Sequence, residues 1–535
     1  MTYVIPPYQS ADAARSTTYW SGLAGWVSWL AMGTLLSVSG IAVLALWGGQ
    51  QAGAQWTALQ DPWLWRVLRF TLWQAALSAA LSVLFALPVA RAVALDEQLR
   101  GTKAFLRWCL LCFVMPSLVL ITGMVVLFGR SGILTPWLGS DWSLYGLSGI
   151  LLAHVFLNMP FAIRVLTFQW QSIPSTAWKL AAQFQLSSWQ RFRWVEWPAL
   201  RGVLPAAFGL IFLLCFNSFA VVLTLGGGPR ATTLEVAIYQ ALKYNFNPQE
   251  ALILAAIQLL VAGGFFVLFN RFGKLSWVMP ATGLGWRPRL SGLERRAGQW
   301  VYGLAIVFLT APVLALLVVV SRVNIASLPW LSLLISMGYS LLFALSAALF
   351  SLLLALSCLA LWRRQPSARR RQWVDGVALH HLVIPGMVLS VGLYIFFMPW
   401  VNWQRWGWLA VVGLNALVAL PFVYSHLKPR VHEYDAQYGR VAADLGLTGW
   451  PHWRRTILPK LWPAVQRAFA ISFVLALGDF ALFGIFGHDR WQTLPWLIYG
   501  LTGAYRLADA AFAALLLLAL AWFALWSLER SYARR

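Results

Sequence analysis

Charged residues are scarce in this chain of 535 residues. Only 11% of the residues are charged and only 17 are acidic, whereas soluble domains average about 25% charged residues. Hydrophobic residues make up 60% of the sequence, with 33 Trp and 32 Phe. This composition excludes a soluble enzyme, a disordered chain and a secreted disulfide scaffold, and it predicts a multi-pass membrane protein.

Motifs that carry chemistry are also missing. The four cysteines lie in apolar runs, and the Cys-x-x-Cys at 109–112 has no second pair and no nearby histidine, which favours ordinary membrane-helix cysteines over a metal site. His380 and His381 form the one histidine pair, also without further ligands, and we interpret them as interfacial polar residues. The glycine-rich stretch 226–233 lacks the Gly-Lys-Ser/Thr ending of a nucleotide-binding loop. We therefore expect no catalytic residue, metal or cofactor in this chain.

What the sequence does contain is long apolar runs. A spanning helix needs about 20 apolar residues, and twelve runs qualify. They lie near residues 23–47, 67–93, 104–129, 143–170, 201–225, 250–270, 300–322, 330–362, 378–400, 407–427, 462–487 and 508–528. The first run is longer than the apolar part of a typical signal peptide, so we interpret it as an uncleaved anchor, although residues 52–54 resemble a cleavage site.

Basic residues fall mainly on one side of these predicted spans. With the N-terminus inside, the cytoplasmic segments hold 29 of the 40 Lys and Arg residues, and the opposite segments hold nine. Cytoplasmic loops retain basic residues, so both termini are predicted to be cytoplasmic. The net charge of +23 thus reflects membrane topology and does not indicate nucleic acid as a partner.

The two halves of the chain repeat each other. The hexapeptide Ala-Leu-Ser-Ala-Ala-Leu at 76–81 recurs at 344–349, an offset of 268. Further matches recur at offsets of 261, 261 and 260 for Pro160-Phe161, for Phe219-Ala220, and for Thr233-Leu234 with Ile238-Tyr239. These matches predict an all-α membrane protein with about 12 transmembrane helices in two parallel six-helix repeats. The predicted parts are a first half (1–275), a cytoplasmic connector (276–299) and a second half (300–535). Parallel repeats enclose a pathway between them, so we predict transport.

Each half has one long cytoplasmic loop between its fourth and fifth spans, the first loop at 171–201 and the second loop at 428–460. Both predict a short helix, a sharp turn and a second short helix that ends near a proline, Pro198 or Pro459. Gly446 suits the turn because glycine reaches positive φ without steric cost. Apolar residues at helical spacing leave a face for a partner.

The second loop resembles the coupling loop of binding-protein-dependent ABC importer permeases, whose pattern is Glu-Ala-Ala-x-x-x-Gly followed thirteen residues later by Pro. Ala442, Gly446 and Pro459 match this pattern, while Arg440 replaces the Glu. The first loop is more degenerate, with Lys179 for the Glu and Gln for the Gly. The resemblance assigns ATPase coupling to eight residues: Ala181, Gln185, Phe192, Pro198, Ala442, Gly446, Trp453 and Pro459.

Three stretches, 149–160, 193–198 and 225–242, further resemble the fused two-half permeases of bacterial thiamine importers. The resemblance implies the type I importer permease fold in the inner membrane, with lipid around it. It also implies thiamine or its phosphate esters as substrate, a periplasmic binding protein, and two copies of a separate ATPase that holds the ATP. Ferric-iron permeases share the fused layout, so iron or another small solute is an alternative substrate.

Asp479 is the clearest ionisable residue inside a predicted span, and its repeat mate is Ser218, beside Asn217. Intramembrane ionisable residues are often functional. Because thiamine carries a positive thiazolium ring, our hypothesis places these three residues on the pathway, where a carboxylate and aromatic faces attract the ring. The alternative is that Asp479 bonds backbone groups at a helix break or pairs with an arginine. Glu235, in a predicted outer loop, is either a contact for a docking protein or a solvated charge.

A secondary transporter is the competing class, because such proteins also have two parallel halves. It would couple transport through intramembrane acids or bases, of which this chain has few, and it leaves the paired loops unexplained. A membrane enzyme would need clustered acidic residues or histidines, and a channel would need a selectivity motif. Neither feature is found in the sequence.

Overall fold

The structure, a computed structural model, describes residues 23–48, 60–139, 141–228, 231–272, 290–365, 367–447 and 452–533. The cleavage-like residues 52–54 and residues 276–289 of the predicted connector lie outside these ranges. Helices with connecting turns make up the described part of the chain, and it contains no strand. The predicted all-α class is therefore confirmed.

Helices of the first half are numbered in chain order. They are α1 (Leu23–Gly48), α2 (Pro62–Leu95), α3 (Thr102–Val114), α4 (Ser117–Phe128), α5 (Leu147–Gln171), α6 (Ser175–Gln183), α7 (Ser188–Arg191), α8 (Trp197–Leu200), α9 (Leu204–Phe216), α10 (Ala220–Leu225), α11 (Leu234–Lys243) and α12 (Pro248–Phe272).

The second half follows the same plan. Its helices are α13 (Gly292–Val320), α14 (Trp330–Arg364), α15 (Ala368–Leu379), α16 (Gly386–Phe397), α17 (Trp403–Asp444), α18 (Leu458–Leu477), α19 (Ala481–Phe486), α20 (Leu494–Gly503) and α21 (Leu507–Ala533).

Some predicted spans are not single straight helices. Nine described helices are long and apolar enough to cross a membrane, and three bent pairs raise the number to twelve if each pair is one span. The predicted span 104–129 is α3 and α4 joined at a 100° bend, and the span 378–400 bends by 86° before α16. Pro116 and Pro385 lie at these bends. A proline lacks the amide that a helix interior requires and displaces the residue before it from the α conformation.

The helices that lead into the two long loops differ between the halves. In the first half α5 ends at Gln171, and α6 starts after Pro174. In the second half the predicted span and the predicted short loop helix are one 42-residue helix, α17. Asp435 stands 261 residues after Pro174, in the corresponding place. Aspartate, unlike proline, keeps its backbone donor, although the same helix also runs through Pro421 and Pro429.

In α2 and α14 the buried positions repeat at a different offset from the matching hexapeptide. Buried positions of α2 match buried positions of α14 at an offset of 269, one residue more than the offset of the hexapeptide. Examples are Thr71 with Ser340 and Ala75 with Ala344. At the hexapeptide's offset of 268, exposed Ala80 would match buried Ala348. The predicted offset is wrong here by one residue, because letter identity in an Ala/Leu-rich helix carries less information than the face that packs.

The first helix of each half packs on the opposite half. Helix α1 contacts α16 and α14, and helix α13 contacts α4 and α2 as well as α21 of its own half. Small residues allow the closest approaches. A Cβ added at Gly392 would collide with the Ala42 carbonyl oxygen, and one at Gly123 would lie 2.7 Å from that of Pro312. The two halves are thus held together by exchanged helices at equivalent positions.

Two short helices, α11 and α20, occupy segments predicted as outer loops. Each is tied to its own half in the same way, since Thr71 Oγ1 accepts the Leu234 amide at 3.0 Å and Ser340 Oγ accepts the Leu494 amide at 2.7 Å. Both also contact the opposite half: α11 packs on α16 and α19, and α20 packs on α4. The repeated letters at 233–239 and 493–499 were the signal in the sequence for ordered elements here.

Candidate functional site

The turn of the first loop follows α6. Gln185 has a φ of +51°, the Leu186 amide donates to the Ala181 carbonyl at 3.0 Å, and the Gln185 amide donates to the Ala182 carbonyl at 3.0 Å. This bond pattern is the Schellman motif, which ends a helix on a residue in the left-handed conformation. Ala181 is buried and Gln185 is exposed.

The second loop turns in the same way after α17. Gly446 has a φ of +62°, as its residue type predicted, and the Leu447 amide donates to the Ala442 carbonyl at 2.9 Å. Ala442 is buried like Ala181. Because each accepts the motif's closing bond, the two alanines occupy equivalent positions in two loops whose sequences differ.

Both turns expose a pair of large apolar side chains one helical turn apart. Leu180 and Phe184 are 52% and 74% exposed in the first loop, and Val441 and Leu445 are 54% and 68% exposed in the second. The pairs are related by the repeat offset of 261. Apolar patches at equivalent places on a surface are typical of docking sites.

After each turn the chain winds as a π-helix, at Phe192–Glu196 and at Trp453–Ile457. Phe192 and Trp453 open these segments and are half-buried, whereas Pro198 and Pro459 are exposed. Each π-helix ends two residues before its proline. Each proline lies in the first turn of the next helix, where its missing amide costs nothing.

An ion cluster surrounds the first π-helix. The side chain of Glu196 is fully buried and accepts from Arg91 at 2.7 Å and from the Trp170 indole at 3.0 Å. Glu294, in the first turn of α13, accepts from Arg191 at 2.8 Å and from Arg91 at 3.1 Å. The cluster therefore joins the first loop to a helix of the second half. In the second half Ile457 stands where Glu196 would be.

The two fifth spans break at equivalent places in the repeat. Helix α9 ends before Asn217, Ser218 and Phe219, and α18 ends before Gly478, Asp479 and Phe480. The rings of Phe219 and Phe480 lie 5.6 Å apart. Since they are repeat mates, their contact places both breaks beside the axis that relates the halves.

Aromatic rings extend this central contact. Tyr239 of α11 meets Phe219 at 5.1 Å, and Tyr499 of α20 meets Phe480 at 5.1 Å. Trp496 adds a further ring 5.0 Å from Phe480. We call Phe219, Tyr239, Phe480, Trp496 and Tyr499 the central aromatic cluster.

The predicted pathway residues stand directly beside this cluster. The Asp479 carboxylate accepts the amides of Leu482 at 3.1 Å and Phe483 at 3.2 Å, so it caps α19 as the alternative hypothesis expected. Asn217 Oδ1 accepts from Gln258 at 3.2 Å, and Ser218 is half-buried. Asn415 and the Ala481 amide also bond this carboxylate, so a cation would share carboxylate oxygens that already have partners.

Glu235 is neither a solvated loop charge nor a surface contact. It lies in the first turn of α11, is 2% exposed, and accepts from Gln258 Nε2 at 2.6 Å. Both interpretations made from the sequence are therefore wrong. Its partner is distant in the chain, so no local pattern could have shown its burial.

The histidine pair and the cysteines serve packing. His380 and His381 lie in a short helical turn at the bend before α16, and His380 Nε2 lies 2.6 Å from Ser39 Oγ of α1. All four cysteines are buried and unpaired. Within the described ranges no three His, Cys, Asp or Glu side chains form a group that could hold a metal ion.

Two six-helix halves with equivalent loops and a broken fifth span in each define an importer permease with fused halves. The family model for binding-protein-dependent transport system inner membrane components matches residues 82–272 and again 347–534. The chain belongs to this family. It is therefore a multi-pass membrane permease subunit, not an enzyme, and it works with a separate ATPase and a substrate-binding protein.

Its relatives include three thiamine transport system permease proteins. That of Salmonella typhimurium is 38% identical over 525 residues, covering 93% of this chain and 95% of the relative. That of Escherichia coli is 38% identical over 518 residues, covering 93% and 94%. That of Brucella abortus is 37% identical over 512 residues, covering 91% and 92%.

Proposed function

We propose that this chain is the permease of a thiamine importer and carries thiamine or its phosphate esters across the bacterial inner membrane. The observation that carries the proposal is similarity over almost the full length to relatives named as thiamine permeases. Both termini face the cytoplasm, the binding protein delivers substrate on the outer side, and lipid surrounds the spans. One copy of the chain forms the whole pathway, because it supplies both halves.

Two ATPase subunits bind the two long loops in this proposal. The exposed apolar pairs Leu180/Phe184 and Val441/Leu445 support it, since each offers one ATPase a similar docking surface. The Schellman turns fix how these pairs are presented. When ATP closes the ATPase dimer, the loops move with it and the halves rock about the central breaks, which is alternating access. ATP stays on the ATPase, and this chain holds no cofactor of its own.

Asp479, Ser218 and Asn217 line the substrate pathway in this proposal. Their position beside the central aromatic cluster supports it, because a positive thiazolium ring is attracted both by a carboxylate and by aromatic faces. In the closed arrangement the contact of Phe219 with Phe480 blocks the axis. As the halves rock apart, this contact opens and exposes the polar residues at the breaks.

Uptake of labelled thiamine tests the proposal in cells that lack their own thiamine importer. The chain is supplied with its genomically adjacent binding protein and ATPase. Gly446→Trp removes the left-handed turn, and Gly338→Trp is its matched control at an exposed glycine of α14 with open space around it. We expect uptake that needs all three components, fails with Gly446→Trp and persists with Gly338→Trp. An assembled complex that hydrolyses ATP without taking up thiamine would assign the substrate to iron or another solute.

A further inference from the structure

Glu235 lies between the two halves, in the same region as the central aromatic cluster. Its helix, α11, contacts α16 and α19 of the second half as well as α12 of its own half. Tyr239, one turn further along α11, contacts Phe219. It also borders the second half, since a Cβ at Gly484 would lie 3.4 Å from the Tyr239 ring. Glu235 is thus placed where the halves must separate.

A chain of buried polar groups connects Glu235 to the break of α9. Gln258 is fully buried, and its Nε2 donates to Glu235 Oε1 at 2.6 Å and to Asn217 Oδ1 at 3.2 Å. Both partners act as acceptors, so the amide nitrogen faces them and the amide oxygen faces away. Its oxygen, Gln258 Oε1, is buried in the same cluster and has no hydrogen-bond partner among the described residues. The cluster therefore contains an acceptor that a bound molecule could use.

The carboxylate of Glu235 also lacks a positive partner. No Lys, Arg or His pairs with it in the ranges that the structure describes. Burying a carboxylate without a counter-charge favours its neutral form, and burial raises the pKa of Glu235. A cation beside Glu235 favours the charged form.

The two halves each contribute one carboxylate to this region, from different positions. The second half has Pro495 in the place of Glu235, and the first half has Ser218 in the place of Asp479. Asp479 directly precedes Phe480, and Glu235 is connected through Gln258 to Asn217, two residues before Phe219. Each carboxylate is therefore tied to a different break, Asp479 to the break of α18 by position and Glu235 to the break of α9 through Gln258.

We propose that Glu235 is a specificity-determining residue that, with Asp479, selects a cationic substrate at the central aromatic cluster. This inference rests on the proposed function, since it takes the thiazolium ring as the cation. As Phe219 and Phe480 separate, the ring enters between the two carboxylates and stacks on aromatic faces. Gln258 Oε1 accepts a hydrogen bond from the amino group of the substrate's other ring.

The experiment uses the complete importer in lipid vesicles and compares two substrates. One is thiamine, and the other is an uncharged analogue with a benzene ring in place of the thiazolium. We expect Glu235→Gln to lower thiamine uptake about tenfold relative to the unmodified chain, with uptake of the neutral analogue unchanged. Glu250→Gln is the matched control, a half-buried carboxylate on α12 that bonds Asn247, and we expect it to change neither.

A rescue variant keeps the test independent of local damage. Asn217→Asp combined with Glu235→Gln returns one negative charge to the same cluster, and we expect it to restore the preference for thiamine. If Glu235→Gln does not assemble with the ATPase, Gln258→Met replaces it, because this change removes the link and the free acceptor while keeping side-chain volume.

The outcomes separate the two proposals. A wild-type complex that assembles but takes up no thiamine overturns the proposed function, and this inference with it, before any variant is compared. If the wild type transports thiamine and Glu235→Gln lowers uptake of both substrates equally, the residue is structural and the inference alone is overturned. Unchanged uptake of both substrates overturns it as well.

Discussion

A single carboxylate at a helix break can serve the backbone and a transported cation at the same time, and Asp479 is placed for both. Asp479→Asn separates the roles, because asparagine also caps helices but carries no charge. We expect the complex to assemble normally and thiamine uptake to fall about tenfold. The measurement is uptake in reconstituted vesicles beside Asp489→Asn, an exposed carboxylate nearby. Near-normal rate and affinity in Asp479→Asn would rule out the pathway role and leave the cap alone.

Substitutions at the two loop turns should change the free energy of unfolding in opposite directions. Gln185 and Gly446 share the left-handed conformation, which costs a residue with a Cβ about 1–2 kcal/mol and costs glycine none. Gln185→Gly should therefore raise the free energy of unfolding by up to about 1 kcal/mol, since glycine's greater freedom in the unfolded chain offsets part of the gain. Gly446→Gln should lower it by about 1 kcal/mol.

Denaturant titration of the purified chain in detergent checks both turn variants. Gly338→Gln, on an exposed face of α14, controls for the general effect of replacing a helical glycine, which we expect to be small. The same sign for the two turn variants would show that the loops do not share one conformation in solution.

The sequence predicted the structural role of a single residue only where the residue's own conformational preference decides it. Gly446 predicted its own turn because φ is a property of the residue itself. Glu235 was assigned wrongly, since its burial depends on Gln258 and on α11 packing against the other half. Gln185 carried no signal of its own, because only its place in the repeat identifies it as a turn residue.

At the scale of elements, the ion cluster is the feature that joins the first loop to α13. Glu196 is buried between Arg91, which is partly exposed, and Arg191, which is buried, so Glu196→Gln leaves two arginines with one acid, Glu294. Breaking a buried ion pair costs about 3–5 kcal/mol, and we expect a loss near the lower end because Arg91 is partly exposed. Denaturant titration measures it.

The control for the ion cluster is the exposed pair Arg430–Glu433, whose side chains are 58% and 49% exposed. Glu433→Gln should change the free energy of unfolding by less than about 1 kcal/mol, as for surface pairs in general. Glu196→Gln with an equally small effect would mean that solvent reaches the cluster and that it does not hold the loop to the second half.

The existence of the helices was predicted well, because it depends on composition. Their bends were predicted less well, because these depend on geometry. Each of the twelve apolar runs contains at least one helix, but hydropathy does not distinguish a straight span from the 100° bend of α3 and α4. Pro116 marked that bend. The π-helices had no signal, because a segment of five residues is too short for its period to be distinguished from that of an α-helix.

At the scale of the whole molecule, each half packs against the first helix of the other half, α1 or α13. The sequence predicted two parallel six-helix repeats, and the fold and family confirm them. It could not predict the exchange of α1 and α13, because a repeat pattern is the same whether a helix packs on its own half or on its partner. The exchange makes each half incomplete alone, with α16 uncovered in one and α4 in the other.

This exchange predicts that the chain can be divided and will reassemble. Two fragments, separated genetically within residues 273–289 and coexpressed, should co-purify in detergent, since α1 binds the second fragment and α13 binds the first. Gly392→Leu should weaken the association, because any Cβ there collides with the Ala42 carbonyl oxygen. Gly338→Leu, where a Cβ meets nothing within 4 Å, should leave it intact. Fragments that are each stable but do not bind would mean that the connector, and not the exchanged helices, holds the two halves together.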